Sequence, residues 1–168
     1  MKILFYLIVY SVLGFVLERI INLVAWGIWY DNSVLIGPYQ PMYGLGIVFT
    51  LQVWLFLKRF KVSLALKYSL LIVSAIMITS VTEYVSGSLY EYFYNDVLWD
   101  YRLTFTFCQG PYTCWFPTML FGFLATFTVL YVHPMLDSFM LVIPKWVKYI
   151  IVLVFLLDVI YTYYEVFL

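Results

Sequence analysis

The sequence predicts an all-α membrane protein, a polytopic bundle of about five transmembrane helices. Of its 168 residues, 65% are hydrophobic and only 11% are charged, whereas soluble proteins carry about 25% charged residues. A soluble fold of this size could not keep so much apolar surface away from water. The apolar runs are continuous, without the ten-residue alternation that is typical of membrane β-barrels.

Five apolar runs define the expected helices, because a membrane span needs about 20 mostly apolar residues. Lipid offers no partners to backbone polar groups, so each span must be helical. The predicted spans of one transmembrane domain, 1–168, are residues 3–25, 42–57, 66–90, 113–132 and 147–167. The second run is short and begins inside a Gly-Pro-rich segment. The first is not expected to be a cleavable signal, because Glu18 and Arg19 occupy the place of a small-residue cleavage site.

Basic residues predict the orientation of these spans. Seven of the nine fall on one side of a five-span alternation: Lys2, Lys58, Arg59, Lys61, Lys67, Lys145 and Lys148. By the positive-inside rule, the N-terminus is expected in the cytoplasm and the C-terminus outside. The many tyrosines and tryptophans near the outer ends of the spans are typical of an interfacial aromatic belt.

Charged residues inside the spans are the first candidates for function, since each costs about 2.5–3.5 kcal/mol to insert. Helical spacing groups them with small or hydroxylated residues into stripes: Ser11, Gly14, Glu18 and Asn22; Thr79, Glu83, Gly87 and Glu91; Asp158, Thr162 and Glu165. Such stripes also let membrane helices pack and hydrogen-bond, so a purely structural role is the alternative. Arg19 points about 100° away from Glu18, so it should pair with an acid on another helix, for which Glu83 is the expected partner, or reach headgroups.

The segment GPYQPMYGLG, residues 37–46, breaks the apolar pattern at the mouth of the second span. Glycine and proline free backbone groups from the helix ladder, which membranes tolerate only beside protein or a water-filled cavity. We therefore expect an outward-facing cavity beside Glu18. Its lining would come from Gly37, Pro38, Tyr39, Gln40, Pro41, Tyr43 and Gly44, with Gly44 and Gly46 permitting close backbone approach. The alternative is an interfacial loop with proline in the first turn of a helix.

A second Gly-Pro-Tyr occurs at residues 110–112, before the fourth span. The order glutamate, loop, Gly-Pro-Tyr, helix thus occurs twice, which predicts a parallel internal repeat of helices 1–2 and 3–4. In the loop before it, Trp99, Asp100, Tyr101 and Arg102 are expected to cap the cavity. Cys108 and Cys114 could form a disulfide on the oxidising side or remain two thiols. Neither a metal nor a cofactor is expected, as His133 is the only histidine.

These motifs resemble a family of small bacterial integral membrane proteins described as ABC-transporter type IV permeases. The shared motifs are Gly-Pro-x-x-Pro-x-Tyr-Gly-x-Gly, Glu-Tyr-x-x-Gly, Trp-Asp-Tyr and a later Gly segment with a cysteine. They match residues 37–46, residues 83–87, residues 99–101, and Gly110 with Cys114. Gln40 stands where a cysteine is common in the family. The resemblance implies a multi-pass protein of the bacterial plasma membrane.

Three functions compete. The first is a transporter permease or substrate-binding subunit whose cavity, containing Glu18, Asn22 and Glu83, takes a cationic or zwitterionic solute or a lipid. The chain lacks a Gly-x-x-x-x-Gly-Lys-Ser/Thr loop, so energised transport would need a separate ATPase subunit. The second is an intramembrane enzyme acting on lipid or envelope precursors, with Glu18 and Glu83 as acid and base. The third is a non-catalytic assembly factor. The sequence leaves a homo-oligomer open and favours no nucleic-acid partner.

Overall fold

The computed structural model describes residues 2–29 and 33–167, and within them all regular structure is helical. Six α-helices occur among these residues: α1 (Lys2–Trp26), α2 (Pro41–Leu57), α3 (Leu64–Tyr94), α4 (Trp115–Phe127), α5 (His133–Val142) and α6 (Lys145–Phe167). A 3-10 turn, Tyr101–Leu103, lies between α3 and α4, and a π-helical turn, Thr128–Val132, joins α4 to α5 without a break. The prediction of an all-helical protein is confirmed.

Four helical stretches among the described residues are long and apolar enough to cross a membrane: Lys2–Val24, Leu64–Tyr94, Trp115–Val142 and Lys145–Glu165. Helix α2 is apolar but has only 17 residues, fewer than the roughly 20 that a perpendicular span needs. The protein is therefore a helical membrane protein. The count of five spans, the inside and outside positions of the termini, and the internal repeat stay predictions.

Helix α3 is longer than predicted because both of its ends are capped. The Ser63 side chain accepts a hydrogen bond from the Leu66 N–H at the start, which satisfies one of the free donors of the first turn. Asn95 adopts a left-handed conformation at the end, and its N–H donates to the Glu91 carbonyl. Its 31 residues correspond to about 46 Å of rise, well beyond the roughly 30 Å of membrane hydrocarbon.

The fourth predicted span also continues further, past residue 132 to Val142. In the π-helical turn, the His133 N–H donates to the Thr128 carbonyl, five residues earlier in the chain. In an α-helix the acceptor would be the carbonyl four residues earlier. Pro134 follows immediately. Its ring lacks an N–H and crowds the preceding turn, and a wider π turn is one way in which a helix continues past such a residue.

The backbone divides into two compact units, whose boundaries fall within α2 and near the end of α5. The first comprises the described parts of residues 1–45 and 141–168. In it α1 packs on α6, and the Tyr39 ring meets Phe155 edge-on at 5.1 Å between centroids. Its fully buried side chains include Ile8, Tyr10 and Ser11.

The second unit comprises residues 46–140. Leu51 and Leu57 of α2, Leu71 of α3 and Val129 of the π turn form its apolar cluster. Helices α3 and α4 pack closely because Gly122 faces Ile76, where a Cβ would overlap the Ile76 backbone. Close contact through a small residue is the usual way in which membrane helices associate.

Candidate functional site

Glu83 lies on the buried face of α3, within the second unit, and its side chain is only 3% exposed. The Tyr101 hydroxyl donates to Oε1 over 2.8 Å, and the Thr118 hydroxyl donates to Oε2 over 2.7 Å. Tyr101 belongs to the loop between α3 and α4, and Thr118 lies in the first turn of α4. An acidic group in a membrane helix is thus enclosed by two neutral hydroxyls, which reduce the penalty of burying it.

Gly87 and Glu91 continue the same stripe one and two turns further along α3. Both residues contact the side chain of Tyr112. The Tyr112 ring contacts Gly87 so closely that a Cβ there would overlap the ring. The Tyr112 hydroxyl donates to Glu91 Oε2 over 2.6 Å. Burial, together with this bond to the Glu91 carboxylate, raises the pKa of the Tyr112 hydroxyl to about 12. Two tyrosine–carboxylate contacts therefore attach the loop to α3.

The segment 99–102 folds as a small ordered turn over this stripe. Asp100 caps the 3-10 turn by accepting the Arg102 N–H, and its carboxylate accepts Nε and Nη2 of the Arg102 guanidinium at 2.6–3.2 Å. The guanidinium contact holds the pKa of Asp100 below its usual value. The Trp99 ring meets the Tyr112 ring edge-on at 5.7 Å. These two charges therefore bind each other beside an aromatic surface.

The loop is closed by a disulfide between Cys108 and Cys114. The two cysteines also form an isolated antiparallel bridge, and the Gln109 N–H donates to the Thr113 carbonyl over 3.2 Å. Between them lies the second Gly-Pro-Tyr. The Tyr101 N–H donates to the Pro111 carbonyl over 2.8 Å, so the disulfide-closed segment holds the turn that carries Tyr101. The disulfide thus supports the position of the Glu83 contact.

The first Gly-Pro-Tyr lies in the first unit and has a different partner. The Ile36 and Gly37 N–H groups donate to the two carboxylate oxygens of Asp158 on α6, over 3.0 and 2.7 Å. A Cβ on Gly37 would overlap the Tyr39 ring and lie 2.8 Å from Asp158 Oδ2, so a larger residue would have to displace these two side chains. Burial and the charge of Asp158 raise the pKa of Tyr39. The chain is not helical just before Pro38, so the Ile36 and Gly37 N–H groups have no helical acceptor, and Asp158 provides one.

The rest of GPYQPMYGLG packs on the polar stripe of α1. The Gln40 N–H donates to the Ser11 carbonyl over 3.0 Å, and the Tyr43 side chain occupies the space that a Cβ on Gly14 would need. A Cβ on Gly44 would overlap the Leu7 carbonyl oxygen. The close backbone approach expected at Gly44 is therefore to α1. Gly46 is less constrained, since its Cβ would make an ordinary contact 3.7 Å from Thr82 Oγ1.

Glu18, Arg19 and Asn22 lie further along α1 and are half-buried. The Arg19 guanidinium carbon lies 4.2 Å from the Phe15 ring centroid and 5.4 Å from that of Trp29, a cation–π arrangement. The structure thus brings Glu83, Gly87, Glu91 and the 99–102 turn together in one unit. It places residues 37–44 against α1 and α6 in the other. The shared cavity of Glu18 and Glu83 stays a prediction.

Three side chains that hydrogen-bond predicted site residues were not themselves among the predicted ones: Asp158, Tyr112 and Thr118. Asp158 belongs to the polar stripe of the last predicted span and Tyr112 to the repeated tripeptide, so the sequence contains a signal for both. Thr118 left none, because a threonine in an apolar helix commonly bonds its own backbone. Only the packing of α4 on α3 turns its hydroxyl towards Glu83.

The Glu83 carboxylate has acceptor positions beyond those that its two hydroxyl partners use. Within residues 2–29 and 33–167, no group of three or more His, Cys, Asp or Glu side chains could hold a metal ion. A carboxylate offers about four acceptor positions, and Tyr101 and Thr118 fill two of those on Glu83. Glu83 can therefore accept further donors, such as those of an ammonium group.

Comparisons with curated proteins and with solved structures gave no match. The family described as "Putative ABC-transporter type IV" matches residues 5–164, nearly the whole chain. The match includes the Gly-Pro segments, the Glu83 stripe and the 99–102 turn described above. This helical membrane protein belongs to that family.

Proposed function

We propose that this protein is the membrane-embedded permease or solute-binding subunit of a transporter. The observation that carries the proposal is the Glu83 carboxylate, buried in a spanning helix and covered by Tyr101 from the loop between α3 and α4. Ionisable groups at such positions commonly mark ion or substrate pathways. Family membership supports a role in transport.

Glu83 takes the cationic group of a cationic or zwitterionic solute in this proposal. The ammonium displaces the Tyr101 hydroxyl from Oε1 and keeps Thr118 as the fixed partner of Oε2. The Trp99 and Tyr101 rings lie 6.4 Å apart between centroids and offer their faces to the cation. The Asp100–Arg102 pair stands at the entrance and can receive the opposite charge of a zwitterion.

We also propose that Glu18, Asn22 and the first Gly-Pro segment line an outward-facing cavity. A separate ATPase subunit supplies energy, because the chain has no nucleotide-binding loop of its own. The protein works in a bacterial plasma membrane, where this arrangement faces the exterior.

Solute binding to purified protein in nanodiscs tests the proposal. A panel of amines, amino acids and quaternary ammonium compounds is screened by the shift in melting temperature, since a ligand of the native state raises it. A binding solute should lose its effect in Glu83→Gln and keep it in the matched control Glu165→Gln, an exposed acid of α6. Equal binding to both variants, or no shift from any member of the panel, counts against the proposal.

A further inference from the structure

The position of Glu83 along α3 indicates its depth in the bilayer. Residues 64 to 83 rise about 29 Å at roughly 1.5 Å per residue, which nearly equals the hydrocarbon thickness of a bilayer, about 30 Å. Lys58, Arg59 and Lys61 immediately precede the helix and fix its start at the opposite surface. Glu83 therefore lies near the boundary between hydrocarbon and headgroups, and residues 84–94 project beyond it.

The loop between α3 and α4 returns to this depth. Tyr101 reaches Glu83 directly, although Glu83 precedes the last residue of α3 by about 17 Å of helix. Thr118, in the first turn of α4, reaches the same carboxylate. The segment from Tyr101 to α4 thus lies beside the last turns of α3, at the level of the headgroups.

Two apolar side chains of this segment are almost fully exposed. Leu103 is 86% exposed and Phe107 is 87% exposed. The stretch between them, LTFTF at residues 103–107, carries no charge. Phe107 adopts a left-handed conformation with φ of 61°, which is unfavourable for a bulky residue. Phe107 thus combines an unfavourable backbone conformation with an exposed aromatic ring, and exposure of such a ring to water would bring no compensating gain.

The apolar surface is continuous with α4. The Phe105 ring contacts the Phe116 ring at 5.7 Å between centroids. Phe116 begins a stripe of exposed apolar side chains at helical spacing, comprising Phe116, Leu120, Phe123 and Phe127. On a spanning helix such a stripe faces acyl chains.

We propose that residues 103–107 form a membrane-interface anchor, with Leu103 and Phe107 inserted among the lipid headgroups and upper acyl chains. Residues 103–107 carry no charge, so hydrophobic insertion, and not a headgroup salt bridge, provides the attachment. The anchor holds the turn that carries Tyr101 at the depth of Glu83. The binding partner of this anchor is the lipid bilayer that the helices span.

Fluorine NMR on protein in lipid nanodiscs tests the anchor. Para-trifluoromethyl-phenylalanine is placed singly at residue 103, 107 or 97. Val97 is the matched control, since it is an exposed apolar residue just beyond the end of α3 and so lies further from the bilayer. Each sample receives either a phosphatidylcholine with a nitroxide near the top of its acyl chain or a water-soluble gadolinium chelate.

The labels at 103 and 107 should relax several-fold faster with the lipid-borne nitroxide than the label at 97, and the gadolinium chelate should reverse the order. Access of the chelate to 103 and 107 equal to that at 97 overturns the proposal. Protection of both positions from both agents also overturns it, because a protein surface would then cover them. Thiol titration confirms that each labelled protein retains its disulfide, so the result reports on a folded loop.

Discussion

The Tyr101 hydroxyl donates a 2.8 Å hydrogen bond to Oε1 of Glu83, so a loop residue contacts a carboxylate buried within a spanning helix. Thr118 completes the arrangement from α4. The loop, α3 and α4 therefore share one polar centre.

Tyr101→Phe and Thr118→Val should each destabilise the protein by about 1–3 kcal/mol, the usual cost of leaving a buried polar group without a partner. Both remove a hydroxyl while conserving shape. Because both donors serve one carboxylate, the double variant should deviate from additivity. Unfolding in mixed detergent micelles measures the free energies. Tyr92→Phe is the control, since Tyr92 is largely exposed, and an equal effect there would contradict the prediction.

Gly44→Ala should destabilise the protein by about 1–3 kcal/mol, the range for overpacking, because its Cβ would overlap the Leu7 carbonyl oxygen of α1. Gly46→Ala, two residues later in the same helix, should be neutral or stabilising, since its Cβ has room and alanine favours helix by up to about 1 kcal/mol. Thermal unfolding of the two variants compares them directly. Equal stability of the pair would refute the stated packing of α2 on α1.

Asp158→Ala should free the Ile36 and Gly37 amides, because their hydrogen-bond acceptors are the Asp158 carboxylate oxygens. Hydrogen–deuterium exchange with mass spectrometry should show at least a tenfold faster exchange in peptides covering residues 33–40, which corresponds to about 1.4 kcal/mol of lost protection. Glu165→Gln, on the same helix, should leave this segment unchanged. Unaltered protection in Asp158→Ala would show that other groups hold the segment.

Tyr112 should ionise at a pH of about 12, because burial and the Glu91 carboxylate disfavour the phenolate. Its folded pKa lies above the ordinary value of 10.0, so its contribution to stability is complete below pH 10 and is lost as the pH rises towards 12. The difference in ultraviolet absorbance between the wild type and Tyr112→Phe during an alkaline titration isolates this one group. Glu91→Gln should move the transition to lower pH, and a Tyr112 transition near 10 would contradict the burial.

Replacing both cysteines by serine should cost roughly 2 kcal/mol, as expected from loop-closure entropy for a short disulfide loop. The loss should also weaken the contact between Tyr101 and Glu83, since the Pro111 carbonyl that holds the Tyr101 N–H lies inside the disulfide-closed segment. In the serine variant, Tyr101→Phe should therefore cost less than in the wild type. An unchanged cost would show that the turn holds Tyr101 without the disulfide.

The sequence by itself determined the class of the protein and the position of its helices. Five runs of apolar residues predicted five spanning helices, because a lipid environment forces such runs into helices. Among the described residues, four of these runs form helices of spanning length, and the run at α2 forms a shorter apolar helix. The helix ends were less predictable, since Ser63 and Asn95 extend α3 through capping contacts and the π turn lets α4 continue past residue 132. The family motifs likewise singled out residues 37–46, residues 83–87 and residues 99–101 as candidate functional segments.

Only the tertiary structure decided which residues meet. Both Gly-Pro-Tyr segments look alike in sequence, yet Gly37 binds Asp158 of α6 through its backbone, whereas Tyr112 binds Glu91 of α3 through its hydroxyl. Thr118 becomes a partner of Glu83 only because Gly122 lets α4 approach α3. Periodicity along one helix specifies which face a side chain occupies, but the identity of its partner depends on contacts between segments far apart in the chain, which local sequence does not encode.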